Sequence, residues 1–151
     1  MDVSGVPGMS VIRLVLAFAV LSLTAPVARA QENWDISGSW SGGYICNQGR
    51  TAVQLSIVRD ARGNGLTATF SFGPVAANPG VPKGAYRMRG SFDPDRKALR
   101  LTPEAWISQP SGYVMVGLDG LMRGSGLYIQ GDVDGPGCSH FEVMRDSDLV
   151  G

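Results

Sequence analysis

The sequence has little of what catalysis is built from. There is one histidine, His140, and there are two cysteines, Cys46 and Cys138, in 151 residues. No Gly-x-Ser-x-Gly, His-Glu-x-x-His or Cys-x-x-Cys occurs, which removes the common local signatures of serine hydrolases, zinc peptidases and thiol-disulfide oxidoreductases. Charge is sparse and balanced, with thirteen basic against thirteen acidic residues. No basic run marks a nucleic-acid or membrane-surface partner. An amphipathic helical period, an internal repeat and a low-complexity tract are also missing, which excludes helical bundles and solenoids.

What the chain has is glycine, 21 of them, between short alternating segments. Its first thirty residues form a separate unit. Val11–Leu23 is apolar apart from Arg13 and Ser22, short for a bilayer span, and Ala28-Arg29-Ala30 is a small-x-small cleavage sequence ahead of Gln31. The expectation is a signal peptide over 1–30 and a β domain over 31–151, exported to the periplasm or beyond. Met9-Ser10-Val11-Ile12-Arg13 makes a better basic start than the acidic first eight residues, so translation is expected from Met9. Cleavage leaves about 120 residues with a charge of about −1, enough for one domain with its own core.

Gly38–Cys46 reads as the first strand, with Trp40, Tyr44 and Cys46 on one face. Val53, Leu55 and Ile57 alternate with polar residues, as do Leu66, Ala68, Phe70 and Phe72, then Tyr86, Met88, Gly90 and Phe92. Asp93-Pro94-Asp95-Arg96 is a hairpin turn. Leu99 and Leu101 return along a strand that Pro103 ends, leaving Glu104–Ile107 as a helical turn or irregular cap. Strands are expected over Tyr113–Leu118, over Leu127–Val133 and over Cys138–Met144, with a connection from Asp119 to Gly126. The fold class is therefore all-β: a single antiparallel up-and-down barrel or sandwich of about eight strands. A barrel is favoured because it leaves no open edge. Two cysteines in an exported chain point to one disulfide, Cys46–Cys138, joining the first strand to the last. Gly73–Gly84 is a long Pro/Gly-rich loop of the kind that carries contacts.

The candidate sites are few. Cys138 and His140 stand two apart, a spacing compatible with a Cys–His nucleophile, but a bonded Cys138 has no thiolate to offer. His140 is read as a surface or structural residue, and no catalytic group is assigned. Asp132-x-Asp134-Gly135 resembles the opening of a calcium loop, but Pro136 and Gly137 stand where oxygen donors are needed, so no metal and no cofactor are expected. A four-residue loop at Asp93–Arg96 would put Arg89 opposite Arg100 with Arg87 diagonal to them. Like charges so placed favour an anionic ligand or acidic partner surface, unless carboxylates nearby neutralise them. Trp106 and Tyr113 are the remaining ligand-binding candidates, as loop aromatics suited to a protein partner or a glycan. A monomer is expected, with no nucleic acid and no membrane span after cleavage.

The succession Gly43-Tyr44-Ile45-Cys46-Asn47-Gln48-Gly49, Phe70-Ser71-Phe72, Asn78-Pro79-Gly80-Val81-Pro82-Lys83-Gly84, Trp106-Ile107 and Gly112-Tyr113-Val114 resembles a small exported bacterial domain. That domain is found alone or appended to caspase-like and Sel1-repeat proteins, and the resemblance implies no activity. Gly38-Ser39-Trp40 looks like the opening of calycin-type barrels (lipocalins, avidins, metalloprotease inhibitors), and Tyr44-x-Cys46 with Gly49 is similar to the opening of bacterial c-type lysozyme inhibitors. These resemblances and the composition imply a non-enzymatic exported binding domain of the cell envelope. The alternatives are a lysozyme or protease inhibitor and a small-ligand carrier.

Overall fold

The structure, a computed structural model, describes residues 34–146 and, ahead of them, 4, 5 and 8. The expected leader and its cleavage site fall almost wholly outside the described residues. Eight strands follow one another around a closed barrel: β1 Gly38–Cys46, β2 Gly49–Arg59, β3 Gly65–Gly73, β4 Gly84–Asp93, β5 Ala98–Ser108, β6 Gly117–Arg123, β7 Tyr128–Asp134 and β8 His140–Arg145. Each strand pairs antiparallel with the next, and β8 closes on β1 through Tyr44↔Phe141 and Gly42↔Val143.

Alternation decides what faces in. On β2, Val53, Leu55 and Ile57 are buried while Gln54, Ser56 and Val58 are exposed. The same rule turns Leu66, Phe70, Tyr86, Met88, Phe92, Leu99, Leu101, Ile129 and Phe141 inward. Trp40, Phe70, Tyr86 and Phe92 are each at most 1 % exposed, so side chains fill the barrel. Two strands need glycine for this filling. Gly120 and Gly131 are paired across β6 and β7, and a Cβ on Gly120 would lie 2.7 Å from the Phe141 ring.

The lower end, where β1 begins, is sealed. Ile36 is fully buried and its carbonyl accepts from Trp40 Nε1 at 3.0 Å. The Arg145 guanidinium lies 4.3 Å over the Trp40 ring and donates to the carbonyls of Ser37, at 2.7 Å, and Asp35. At the upper end, where β1 finishes, Cys46 is disulfide-bonded to Cys138, 92 residues away in sequence.

Three expected elements are corrected. β5 does not stop at Pro103, and Glu104–Ile107 is strand: β6 pairs with β5 only as far as Leu101, so beyond it β5 is bonded on one side, where proline is tolerated. Two register shifts against β4 absorb the irregularity there. The expected strand at Tyr113–Leu118 starts only at Gly117 and runs on through Asp119 to Arg123. Its turn is made by Gly124 and Gly126, both at positive φ, whereas Gly120 in the Asp119-Gly120 pair makes room for Phe141. The last strand begins at His140, because Gly135–Ser139 is the loop that carries Cys138 to the disulfide.

Candidate functional site

Four connections meet at the upper end: 47–48, 74–83, 109–116 and 135–139. Local chemistry ties them together. The disulfide joins the last residue of β1 to the loop before β8, and Ser139 N donates to Ile45 O at 2.9 Å beside it. Asn78, in the long loop, donates its amide to Gln48 O at 2.6 Å and Arg50 O at 3.1 Å, fastening that loop to the turn after β1. Val81 of this loop is buried among the core residues. The 109–116 loop is held at its end by Tyr86, whose hydroxyl donates to Val116 O at 2.9 Å and accepts from Val116 N at 3.2 Å. Burial raises the pKa of the Tyr86 hydroxyl, which keeps this two-way clamp neutral.

A ladder of aromatic rings runs up to this end. Phe70 stacks on Tyr86 with centroids 4.7 Å apart, and Tyr44 meets Phe70 edge-on at 5.3 Å. Phe72 stacks on Tyr113 at 5.4 Å and meets Trp106 edge-on at 6.3 Å. The two aromatic candidates are thus brought to one neighbour, half-buried, as part of the packing of the barrel end. Around them Ile107 and Val114 are exposed by 57 % and 61 %, an apolar rim at this end, while Val58, Leu127 and Met144 are exposed elsewhere on the barrel.

Between the rim and the disulfide lies a cleft of about 330 Å³ lined by Tyr44, Gln48, Tyr113, Val114, Val116 and Cys138, among others. Tyr44 is 4 % exposed. Its hydroxyl accepts from Gln48 Nε2 at 3.4 Å, and the same amide donates to the buried Thr51 Oγ1 at 3.1 Å. Burial, reinforced by the nearby Tyr113 phenol, pushes the Tyr44 hydroxyl up to about 12. The cleft is therefore neutral, partly apolar and held in shape before any ligand arrives.

The arginines are placed differently from the expectation. Phe92 pairs with Leu99 and Asp93 with Ala98, two residues along from the expected register. The cause lies in the turn: Asp93 Oδ1 accepts from Asp95 N and Arg96 N, and Lys97 takes a left-handed φ of 56° with its ammonium 4.0 Å over Trp34. Arg89 consequently faces Thr102, and Arg100 faces Ser91. Each also has a carboxylate, Glu104 at 3.2 Å for Arg89 and Asp119 at 2.8 Å for Arg100. Arg87 faces Ala105 and Thr69. The opposed pair that suggested an anionic ligand does not exist, and Arg87, Arg89 and Arg100 stand on the outer wall, apart from Trp106 and Tyr113.

Comparison of the chain with protein-family models, curated proteins and solved structures gives no match.

A wider groove of about 790 Å³ lies on the outer wall over β5–β8. Across it Arg100, Asp119, Asp132 and His140 form one row of successive strand partners, so its charges face each other. His140 Nδ1 lies 3.2 Å from Ser139 Oγ, and Cys138 is consumed in the disulfide, so the two do not form a nucleophile pair. Among the described residues no three His, Cys, Asp or Glu side chains are grouped to hold a metal. Sequence reasoning missed Gln48 and Val114. Gln48 looked like a turn residue, and its role depends on Thr51 and Tyr44 being brought beside it by the β1–β2 hairpin. Val114 was taken as strand, where alternation would have hidden it.

Proposed function

We propose that this chain is a non-enzymatic, exported binding domain of the bacterial cell envelope that holds its ligand at the upper end of the barrel. The observation that carries the reading is the convergence there of a preformed cleft, an exposed apolar rim and three separate ties that fix the loops. Loops so fastened lose little freedom on binding, which is the condition for using weak contacts efficiently. Trp106 and Tyr113 support the rim from below, and the contact is made by Ile107, Val114 and the cleft itself. The filled interior leaves the upper cleft, rather than the barrel lumen, as the place for a small ligand. The charged outer wall, with Arg50–Glu142, Arg89–Glu104 and Arg100–Asp119 pairs, supports a domain that stands in water and does not span a membrane through its strands.

The test is an amide-shift titration of residues 31–151 with a panel of small uncharged fragments. Shifts gathered at 44–48, 112–116 and 136–138 are the expected outcome. Shifts confined to the outer wall, or none at all, would remove the reading.

A further inference from the structure

We infer that the upper cleft selects an uncharged small molecule that presents a carbonyl-type hydrogen-bond acceptor on a compact apolar body. The inference rests on the upper end being the binding site and adds the chemistry of the ligand.

Three features of the cleft carry it. The first is the lack of a countercharge. Tyr44, Gln48, Tyr113, Val114, Val116 and Cys138 are among the residues that line the space, and none of the lining side chains is an Asp, Glu, Lys, Arg or His. A carboxylate or ammonium entering it would lose hydration without gaining a partner, a cost that rises steeply with burial. The second is the polarity of the floor. The Tyr44 hydroxyl receives a hydrogen bond from Gln48 Nε2 and stands beside the Thr51 hydroxyl, which itself accepts from Gln48 Nε2 and donates to Gly49 O. Thr51 has its own proton engaged and Tyr44 stays protonated, so the phenol is the hydroxyl donor at this floor that an acceptor oxygen of a ligand can engage. Gln48 spends its amide N–H groups on Tyr44 and Thr51, so its carbonyl oxygen is left to receive a donor from the same ligand. A primary amide offers both partners side by side, since one of its N–H bonds lies on the same edge as its carbonyl oxygen. The third is the wall. Val114, Val116, Pro136, the Tyr113 ring and the disulfide are apolar surfaces on either side of that floor, and about 330 Å³ suits a ligand of one or two rings.

The outer-wall groove has the opposite chemistry. Its row of Arg100, Asp119, Asp132 and His140 would receive a charged or zwitterionic molecule if it received anything. Charge alone therefore separates ligands of the two depressions.

Benzamide, benzoate and toluene have nearly the same shape and differ in the property at issue: a neutral acceptor, an anion, and no polar group. Titrated separately into the folded domain and followed by amide shifts, benzamide is expected to bind at 44–48, 112–116 and 136–138, at least about tenfold more tightly than either of the others. Tyr44→Phe should cost benzamide about tenfold, the worth of one hydrogen bond, and leave toluene unchanged. Benzoate binding in the cleft as tightly as benzamide would overturn the inference while leaving the upper end as the binding site. Tyr44→Phe binding benzamide as the unaltered protein does would overturn it too. The ranking of the three probes on the unaltered protein stands by itself if the variant fails to fold. If none of them shifts an upper-end amide, the binding reading falls with the inference.

Discussion

Two kinds of residue decide whether this barrel closes and what its upper end can do. Glycines do the first. A Cβ on Gly90 would sit 1.8 Å from Arg100 O, and one on Gly131 would sit 1.9 Å from Asp119 O, so at both points adjacent strands approach more closely than any side chain allows. Gly90→Ala should therefore cost about 2–4 kcal/mol in urea denaturation, because backbone must move to admit the methyl. Gly80→Ala, with open space around it and no left-handed φ, should change stability by less than about 1 kcal/mol. Tyrosines do the second. Tyr44 ionises near 12 in the folded protein against about 10 in the unfolded chain, and Tyr86 is displaced in the same direction, both chiefly through burial. The unfolded chain then binds fewer protons than the native one above pH 10. Stability is complete below that point and is lost as pH rises toward the folded value. Denaturation midpoints taken from pH 8 to 12 should fall beyond pH 10, with a shallower fall in Tyr44→Phe. A flat profile would mean that the phenols are not held as described. At this scale the sequence was partly legible: alternation put Trp40, Tyr44 and Phe70 in the core. It could not separate glycines that turn a corner, such as Gly124, from Gly120, which makes room for Phe141.

At the level of strands and loops, periodicity located β1 to β4 well because each carries an unbroken inward row. It failed where local signals and pairing disagree. Pro103 reads as a strand end, yet β5 passes through it because β6 has already left that side. Tyr113-Val114-Met115-Val116 has strand composition but lies across the upper end, fixed by the Tyr86 clamp and by stacking on Phe72. The errors fall on the outer half of β5 and on the connection that follows it, which between them supply Ile107 and Val114 of the proposed rim. That is expected of a functional loop, whose apolar residues answer to something other than the core. The hairpin register that opposed Arg89 to Arg100 was off by two residues, since the turn is set by Asp93 capping and the left-handed Lys97 and not by the proline alone. Elements also carry the covalent tie. Replacing Cys46 and Cys138 together by serine frees a loop spanning 92 residues of sequence and should lower stability by about 4–5 kcal/mol, measured by urea denaturation against the oxidised protein. The loss should appear equally on reduction of the unaltered domain. A change under about 1 kcal/mol would show that strand pairing alone sets the β1–β8 closure.

At the largest scale, residues 34–146 form a filled barrel with unlike ends. The lower end is a seal made by Ile36, Trp40 and Arg145, and the outer wall is a polar surface with paired charges. The upper end differs in its hollow, which is neutral, and in its ties: it is fastened by a disulfide, an asparagine and a buried tyrosine, with Ile107 and Val114 exposed around it. The all-β class and the choice of a barrel were readable from alternating segments and the need to remove edges. The cleft was not, because it is assembled from four connections distant in sequence, and only the ladder places Gln48 beside Tyr44 and both beside Val114. The most direct measurement is a crystal structure of the domain soaked with benzamide. The account predicts the ligand in the upper cleft, its carbonyl oxygen within hydrogen-bond distance of the Tyr44 hydroxyl and its ring between Tyr113 and Val114. An empty cleft with benzamide seated instead in the groove over β5–β8 would contradict it.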